Sequence, residues 1–168
     1  ESKGIIQGEV RNPTEFEDIS LTVLAEGPSL REVAEQIGFS DVPNPGAFRV
    51  QARIDDPQGT WALRDVDIHV GSKELAEVSI QGEIQDLMGF GGVQLAFLAQ
   101  GKDAAELTKL GLPPPPRKGP FRVIGRVTGR EADVYGLEDL QMALGENEIN
   151  GQLELDLAAA PPRLTGRL

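Results

Sequence analysis

The chain has 168 residues, enough to bury a core of its own, and it contains no cysteine, which excludes disulfides, thiol nucleophiles and cysteine-ligated metals. Its formal net charge of -11 and its aromatic content of 5% argue against nucleic acid as a partner, because an acidic surface repels phosphates and few rings are available to stack on bases. No apolar run approaches the roughly 20 residues that span a bilayer.

Alternation of apolar and polar residues dominates the chain and predicts strands with one buried face. Around Val50 and Ile54, for example, every second residue is apolar and those between are charged or amides. Ten such strands are predicted, in chain order near 5–10, 17–26, 48–55, 60–70, 76–85, 92–100, 120–128, 133–145, 149–157 and 162–168. Short connections between many of them predict a mainly β fold in which most sequence neighbours pair antiparallel.

Two short helices are predicted, one between the second and third strands and one between the sixth and seventh. Each begins with a capping box and has helical spacing of apolar residues after it. The boxes are Ser29 with Glu32, for a helix near 29–38, and Asp103 with Glu106, for a helix near 103–111. The predicted stops are Gly38 and Gly111.

A proline-rich segment follows each predicted helix, at 42–46 and at 113–119. Polyproline segments serve as ligands for recognition domains in some proteins. Because this segment occupies the same place twice, we interpret it as a stiff spacer that returns the chain from helix to strand.

The sequence repeats itself at a spacing of about 74 residues. Ile6-Gln7-Gly8-Glu9-Val10 returns as Ile80-Gln81-Gly82-Glu83-Ile84, and the helices and proline-rich segments recur with it. A fixed period predicts stacked units that form one repeat-built domain, here about 5–78 and 79–152 with a partial third unit to 168. Since the chain begins and ends inside a unit, we expect it to be a piece of a longer protein.

The alternation changes phase once in each unit, at Arg64-Asp65 and at Glu138-Asp139. An extra residue in a strand predicts a β-bulge, and a bend in every unit predicts a sheet that curls into a trough. Ten strands with two small helices would leave an apolar face incompletely covered, and such a face binds apolar ligands. The alternative, a closed core between two sheets, remains open at this point.

The predicted lipid-facing residues are the apolar members of the alternation in five strands. They are Phe48, Val50, Ile54, Val66, Ile68, Val70, Phe121, Val123, Val127, Met142, Leu144, Leu153 and Leu155. The charged residues between them are predicted to keep the opposite face in water. These are Arg49, Arg53, Arg122, Arg126, Glu154 and Asp156.

Candidate catalytic and metal-binding groups give weak signals. The single histidine, His69, is predicted on the polar face, and nothing in the sequence pairs it with a nucleophile. Asp65 and Asp67 resemble a metal-binding pair, but the second unit has Gln141 in place of the second carboxylate. The segment 89–92 is glycine-rich without a following phosphate-binding helix, so a turn is expected there. We predict a protein that is not an enzyme and that has no catalytic residue, metal or cofactor.

A series of short segments in the C-terminal third follows a specific order and spacing. They are Gly119-Pro120-Phe121-Arg122-Val123, Gly125-Arg126-Val127-Thr128-Gly129, Leu137-Glu138-Asp139-Leu140, Leu144-Gly145, 149–157 and 162–168. In this order they resemble the C-terminal repeat region of the AsmA-like family, closely over 119–168 and more weakly over 46–101.

The resemblance implies a Gram-negative cell-envelope protein with a periplasmic β-rich body, anchored in the inner membrane by a helix outside this chain. It further implies that phospholipid or another acyl lipid is carried along an apolar trough in outer-membrane assembly, as in TamB-type bridge-like lipid-transfer proteins. The family offers no catalytic residues. The alternative function is a structural scaffold with a closed apolar core, which would bind other envelope proteins at its sheet edges.

Overall fold

A single antiparallel sheet of ten strands makes up most of the protein. The computed structural model describes residues 2–12, 17–36, 46–56, 59–72, 76–110, 118–131, 133–159 and 162–167. The strands are β1 (Lys3–Asn12), β2 (Glu17–Gly27), β3 (Phe48–Asp55), β4 (Ala62–Gly71), β5 (Ala76–Asp86), β6 (Gly91–Gly101), β7 (Phe121–Glu131), β8 (Val134–Leu144), β9 (Asn147–Asp156) and β10 (Arg163–Arg167). All ten predicted strands are confirmed.

The order of the strands across the sheet is their order in the sequence, from β1 at one edge to β10 at the other. Every pair of neighbours is antiparallel, which confirms the predicted pairing. Within the described residues β1 does not pair with β10, so the sheet is not closed into a barrel. All the strands belong to this one sheet, and a sandwich of two sheets is therefore not the architecture.

β4 and β8 each contain one β-bulge at the predicted position. On β4 the register shifts between Leu63 and Val66, where one extra residue faces β5. Asp65 occupies this bulge and Asp139 the matching one on β8, with φ of 50° and 52°. Aspartate adopts this left-handed conformation more readily than most residues do. Because the bulge also corrects the phase of the alternation, the apolar side chains before and after it lie on the same face.

Short helical segments connect β2 to β3 and β6 to β7, both at the same end of the sheet, which we call the helical end. The first, α1, is Leu30–Gln36, and its predicted N-cap is observed because the Glu32 amide donates to Ser29 Oγ at 3.3 Å. The second, Ala104–Leu110, is a 3₁₀ helix, where the sequence predicts an ordinary capped helix. The predicted stops and most of both proline-rich segments lie outside the described residues.

The tight winding of the second segment has a local cause. The Glu106 amide donates to the Asp103 carbonyl oxygen three residues earlier, at 3.0 Å, which is the 3₁₀ pattern. The Asp103 carboxylate at the same time accepts from the Ala105 amide at 2.9 Å and from the Gly119 amide, just before β7, at 3.2 Å. Asp103 therefore caps the segment and ties it to the returning strand.

The best-buried cluster of side chains lies under this 3₁₀ helix. Ala104, 1% exposed, packs with Ala76 of β5 and Phe121 of β7, and Leu107 and Val123 border them. All the strand residues in this cluster belong to the apolar face of the sheet. The 3₁₀ helix therefore covers that face only at the helical end.

The Asp103 carboxylate accepts hydrogen bonds from the Ala105 amide, which has the larger effect, and from the Gly119 amide. These bonds hold the pKa of Asp103 below its ordinary value. A lowered pKa in the folded state means that the ionised carboxylate stabilises the fold. This stabilisation is complete above the unfolded-state pKa of about 4 and is lost as the pH falls through the lower folded-state pKa.

We expect Asp103→Asn to lower the melting temperature at neutral pH, since the amide retains the acceptor but not the charge. The difference from the wild-type protein should be constant from about pH 7 to about pH 4 and should shrink below that, as the pH falls towards the lower folded-state pKa. Thermal unfolding followed by circular dichroism at several pH values measures this. A difference in melting temperature that stays constant also below about pH 4 would contradict the stabilising role of the ionised carboxylate.

Candidate functional site: the apolar face of the sheet

The strand register aligns apolar residues into rows that cross the sheet. One row crosses seven strands, at Phe48, Val70, Val78, Ala99, Val123, Met142 and Ile149. A second row crosses nine strands, at Leu21, Ile54, Leu63, Ile84, Val93, Gly129, Tyr135, Leu155 and Leu164. Neither row contains a charged side chain. We call the surface that these rows share the apolar face.

The structure brings all thirteen residues of the predicted lipid-facing set together on the apolar face, because cross-strand register and the two bulges keep them in phase. Phe48, Val66 and Phe121 are buried, with 6%, 4% and 6% of their surface exposed, so they support the face from within. The other ten are partly exposed. Contact of these ten residues with a lipid remains a prediction.

Sequence reasoning missed about half of the apolar face, because it selected residues from β3, β4, β7, β8 and β9 alone. The other strands contribute equally. Their apolar-face residues include Ile6, Val10, Ile19, Leu21, Val23, Val78, Ile80, Ile84, Val93, Leu95 and Phe97. The signal was present in the sequence, since the same alternation runs through β1, β2, β5 and β6.

Two aromatic rings lie over glycines in the middle of the apolar face. A Cβ at Gly125 would lie 2.8 Å from Cζ of Phe97 on the neighbouring strand β6. A Cβ at Gly129 would lie 3.0 Å from the Tyr135 ring on β8. Aromatic side chains often cover strand glycines in this way. The rings therefore fill positions at which β7 has no side chain.

Charged side chains on the opposite, polar face pair with one another. Arg53 lies 2.9 Å from Asp55 and 3.2 Å from Asp65, and Arg64 lies 3.5 Å from Asp55 and 3.7 Å from Glu83. These side chains are exposed or half-buried, and ion pairs in such places contribute at most about 1 kcal/mol each. The pattern is typical of a solvated sheet surface. It confirms that the alternation separates an apolar face from a wet one.

His69 lies on the polar face, as predicted. Its side chain is 43% exposed and its Nε2 lies 3.0 Å from Asp67 Oδ1, while the same carboxylate oxygen accepts from the Gln81 side chain at 3.0 Å. Asp65 is engaged by Arg53 and is not adjacent to a second free carboxylate. In the described part of the chain, no three His, Asp or Glu side chains lie close enough to hold a metal ion.

The glycine-rich segment 89–92 forms the end of the β5–β6 turn and the start of β6, as predicted. Among the described helices, none is long and apolar enough to cross a membrane.

Comparisons of the chain with protein-family models, with curated proteins and with solved structures each found no match. The likeness to the AsmA-like family therefore remains a prediction from the sequence, and the function has to be argued from the geometry of the sheet.

Proposed function

We propose that the protein binds phospholipid, or another acyl lipid, along the apolar face of its sheet. The observation that supports this is the continuity of the apolar rows across as many as nine strands; among the described residues, the 3₁₀ helix covers the face, and it does so at the helical end. Each Å² of apolar surface left in water costs about 25 cal/mol. Acyl chains would cover such a face without leaving any polar group unpaired.

We propose further that the sheet curls into a trough with the apolar face inside. The bulges at Asp65 and Asp139 support this, because a bulge bends its strand and increases the local twist. The partial burial of most apolar side chains also supports it. On a flat, uncovered sheet these side chains would be more exposed, whereas on a concave face neighbouring strands shield them.

Tandem repetition of one unit is the third element of the proposal, with units at about 5–78 and 79–152 and one helical segment in each. Backbone geometry supports it. The Gly71 amide donates to the Ala47 carbonyl at 2.7 Å, and at the equivalent place the Gly145 amide donates to the Pro120 carbonyl at 2.9 Å. Residues with positive φ also recur at this spacing. The pairs are Gly8 with Gly82, Asp18 with Gly92, Gly46 with Gly119, Gly59 with Asp133, Asp65 with Asp139, and Gly71 with Gly145.

In this proposal the protein is a non-enzymatic module of the cell envelope. It belongs to a periplasmic, inner-membrane-anchored parent of the AsmA-like kind and conducts lipid in outer-membrane biogenesis. The order and spacing of the segments over 119–168 support that placement.

Native mass spectrometry tests the lipid proposal. The chain, purified from Gram-negative bacterial cells without detergent, is expected to retain a mass that tandem fragmentation identifies as phospholipid. A preparation that carries no lipid, and that takes up none from added phospholipid, would contradict the proposal.

A scaffold that binds protein at its edges is a second candidate, favoured by the two outer strands. β1 and β10 lie at the edges, and each has one side without a strand partner among the described residues. Unpaired backbone groups on an edge are a template for another strand. On β1 the side chains of Ile5 and Ile6 are also 49% and 70% exposed.

For this candidate we expect β1 to pair antiparallel with β1 of a second copy. A twofold axis at Ile6 places Lys3 of each copy opposite Glu9 of the other copy. It also continues the apolar face across the junction. Sedimentation at high concentration should show dimers. Lys3→Glu should weaken them and Lys3→Glu with Glu9→Lys should restore them, because opposite charges then face each other again. A strict monomer at high concentration would contradict this prediction.

A further inference from the structure

Three large apolar side chains are exposed where β4, β5 and β6 reach the end of the sheet that lies opposite the helical end. They are Trp61, just before β4, and Met88 and Phe90, in the turn that joins β5 to β6. Met88 is 80% exposed, Phe90 57% and Trp61 37%. We call these three residues the apolar tip. They lie outside the strands and outside both apolar rows, so the proposed lipid trough does not account for them.

The apolar tip is held in place by hydrogen bonds. The Leu87 amide donates to the Trp61 carbonyl at 2.7 Å, which joins the turn to the segment before β4. Asp86 Oδ1 accepts from the Met88 amide at 3.1 Å and from the Gly89 amide at 2.9 Å. The turn therefore presents its side chains outward in a defined arrangement.

Phe90 has a φ of 52°, a conformation that is unusual for a bulky residue and that glycine would adopt without strain. Glycines lie on both sides of it, at Gly89 and Gly91. A large aromatic ring is thus kept exposed at a position where backbone geometry favours a residue with no side chain. Strain of this kind points to a use for the side chain.

From this geometry we infer that the apolar tip inserts into the interface of a lipid bilayer. A stable protein interface buries about 800 Å² on each partner, whereas a fully buried aromatic side chain supplies about 150–250 Å². Three side chains, one of them a methionine and all already partly covered, fall short of that area. A bilayer accepts a small apolar insertion because it needs no matching surface.

The different exposures of the three side chains are consistent with insertion into a bilayer. Met88 and Phe90 are the most exposed of the three and would enter the acyl region, whereas Trp61 is less exposed and has an amphipathic ring that suits the headgroup level. The net charge of -11 opposes attraction to anionic lipid, so insertion depends on the apolar side chains and is expected on zwitterionic vesicles.

Trp61 is the only tryptophan of the chain and serves as the reporter. With unilamellar phosphatidylcholine vesicles we expect a blue shift of its emission, and quenching when phosphatidylcholine brominated near the headgroup end of the acyl chains is included. Met88→Ser with Phe90→Asn should reduce the partition coefficient at least about tenfold, since two apolar side chains are lost. Asparagine is chosen at position 90 because it tolerates positive φ.

The matched control is Ile5→Ser with Leu24→Ser, which removes two partly exposed apolar side chains that lie opposite each other on the polar face of β1 and β2. It should bind vesicles as the wild-type protein does. Loss of retained phospholipid in Ile68→Glu tests the lipid trough, whereas loss of vesicle binding in the tip variant tests the tip, so a failure of the one and a failure of the other are distinguishable. No blue shift with the wild-type protein, or equal binding by the tip variant once circular dichroism shows that it is folded, would overturn the inference. So would equal losses in the tip variant and the Ile5/Leu24 control.

Discussion

Replacing Ile68 by glutamate is expected to reduce retained phospholipid by more than about tenfold. Ile68 lies in the interior of the apolar face, opposite Val50 on β3 and Ile80 on β5. A carboxylate buried against an acyl chain costs several kcal/mol, and about 1.4 kcal/mol already corresponds to a factor of ten in affinity. Native mass spectrometry of wild-type and variant protein, purified in parallel, measures the loss.

The control for this variant is His69→Glu, at the next residue of β4. Its side chain lies on the polar face opposite Arg49, so the same new carboxylate meets solvent and a cation. Lipid retention should be nearly unchanged. Both variants must first give the wild-type circular dichroism spectrum. Equal retention by the two folded variants would remove the lipid trough and favour the scaffold. Val123 is a less suitable site, since it also borders the buried cluster under the 3₁₀ helix.

Gly82→Ala is expected to destabilise the protein by about 2–4 kcal/mol. Gly82 lies in β5 with a φ of 143°, a region that residues with a side chain rarely adopt. An added Cβ would overlap the backbone carbonyl oxygen of Gln94 on β6, so the two central strands would have to separate locally. Urea unfolding measures the change in the free energy of unfolding.

Gly4→Ala is the matched control, because it makes the same substitution in a strand. An added Cβ at Gly4 meets no atom within 4 Å, and the residue lies on the edge strand β1. Its free energy of unfolding should change by no more than about 0.5 kcal/mol. Similar losses in the two variants would contradict the close approach of β5 and β6 at Gly82. Gly8→Ala should resemble Gly82→Ala, since Gly8 is the equivalent residue in the other proposed unit and overlaps Ser20 in the same way.

Local sequence patterns are sufficient to predict all ten strands, the bulges at Asp65 and Asp139, and the side of the sheet on which each predicted lipid-facing residue lies. The reason is that alternation with a period of two is a property of the extended chain itself. The N-cap at Ser29 was predictable for the same reason, since a cap involves residues only three apart. The 3₁₀ winding after Asp103 was not, because its carboxylate also binds Gly119, a residue distant in sequence.

Alternation along the chain specifies that one face of every strand is apolar and that the phase changes once in β4 and once in β8. The assembly of the ten strands into one sheet in sequential order, with the 3₁₀ helix over the apolar face at one end and the apolar tip exposed at the other, depends on tertiary contacts. Alternation indicates which side chains avoid water, but it does not indicate which other residues cover them. The covering of Phe121, and the exposure of Trp61, Met88 and Phe90, depend on contacts between residues far apart in the chain.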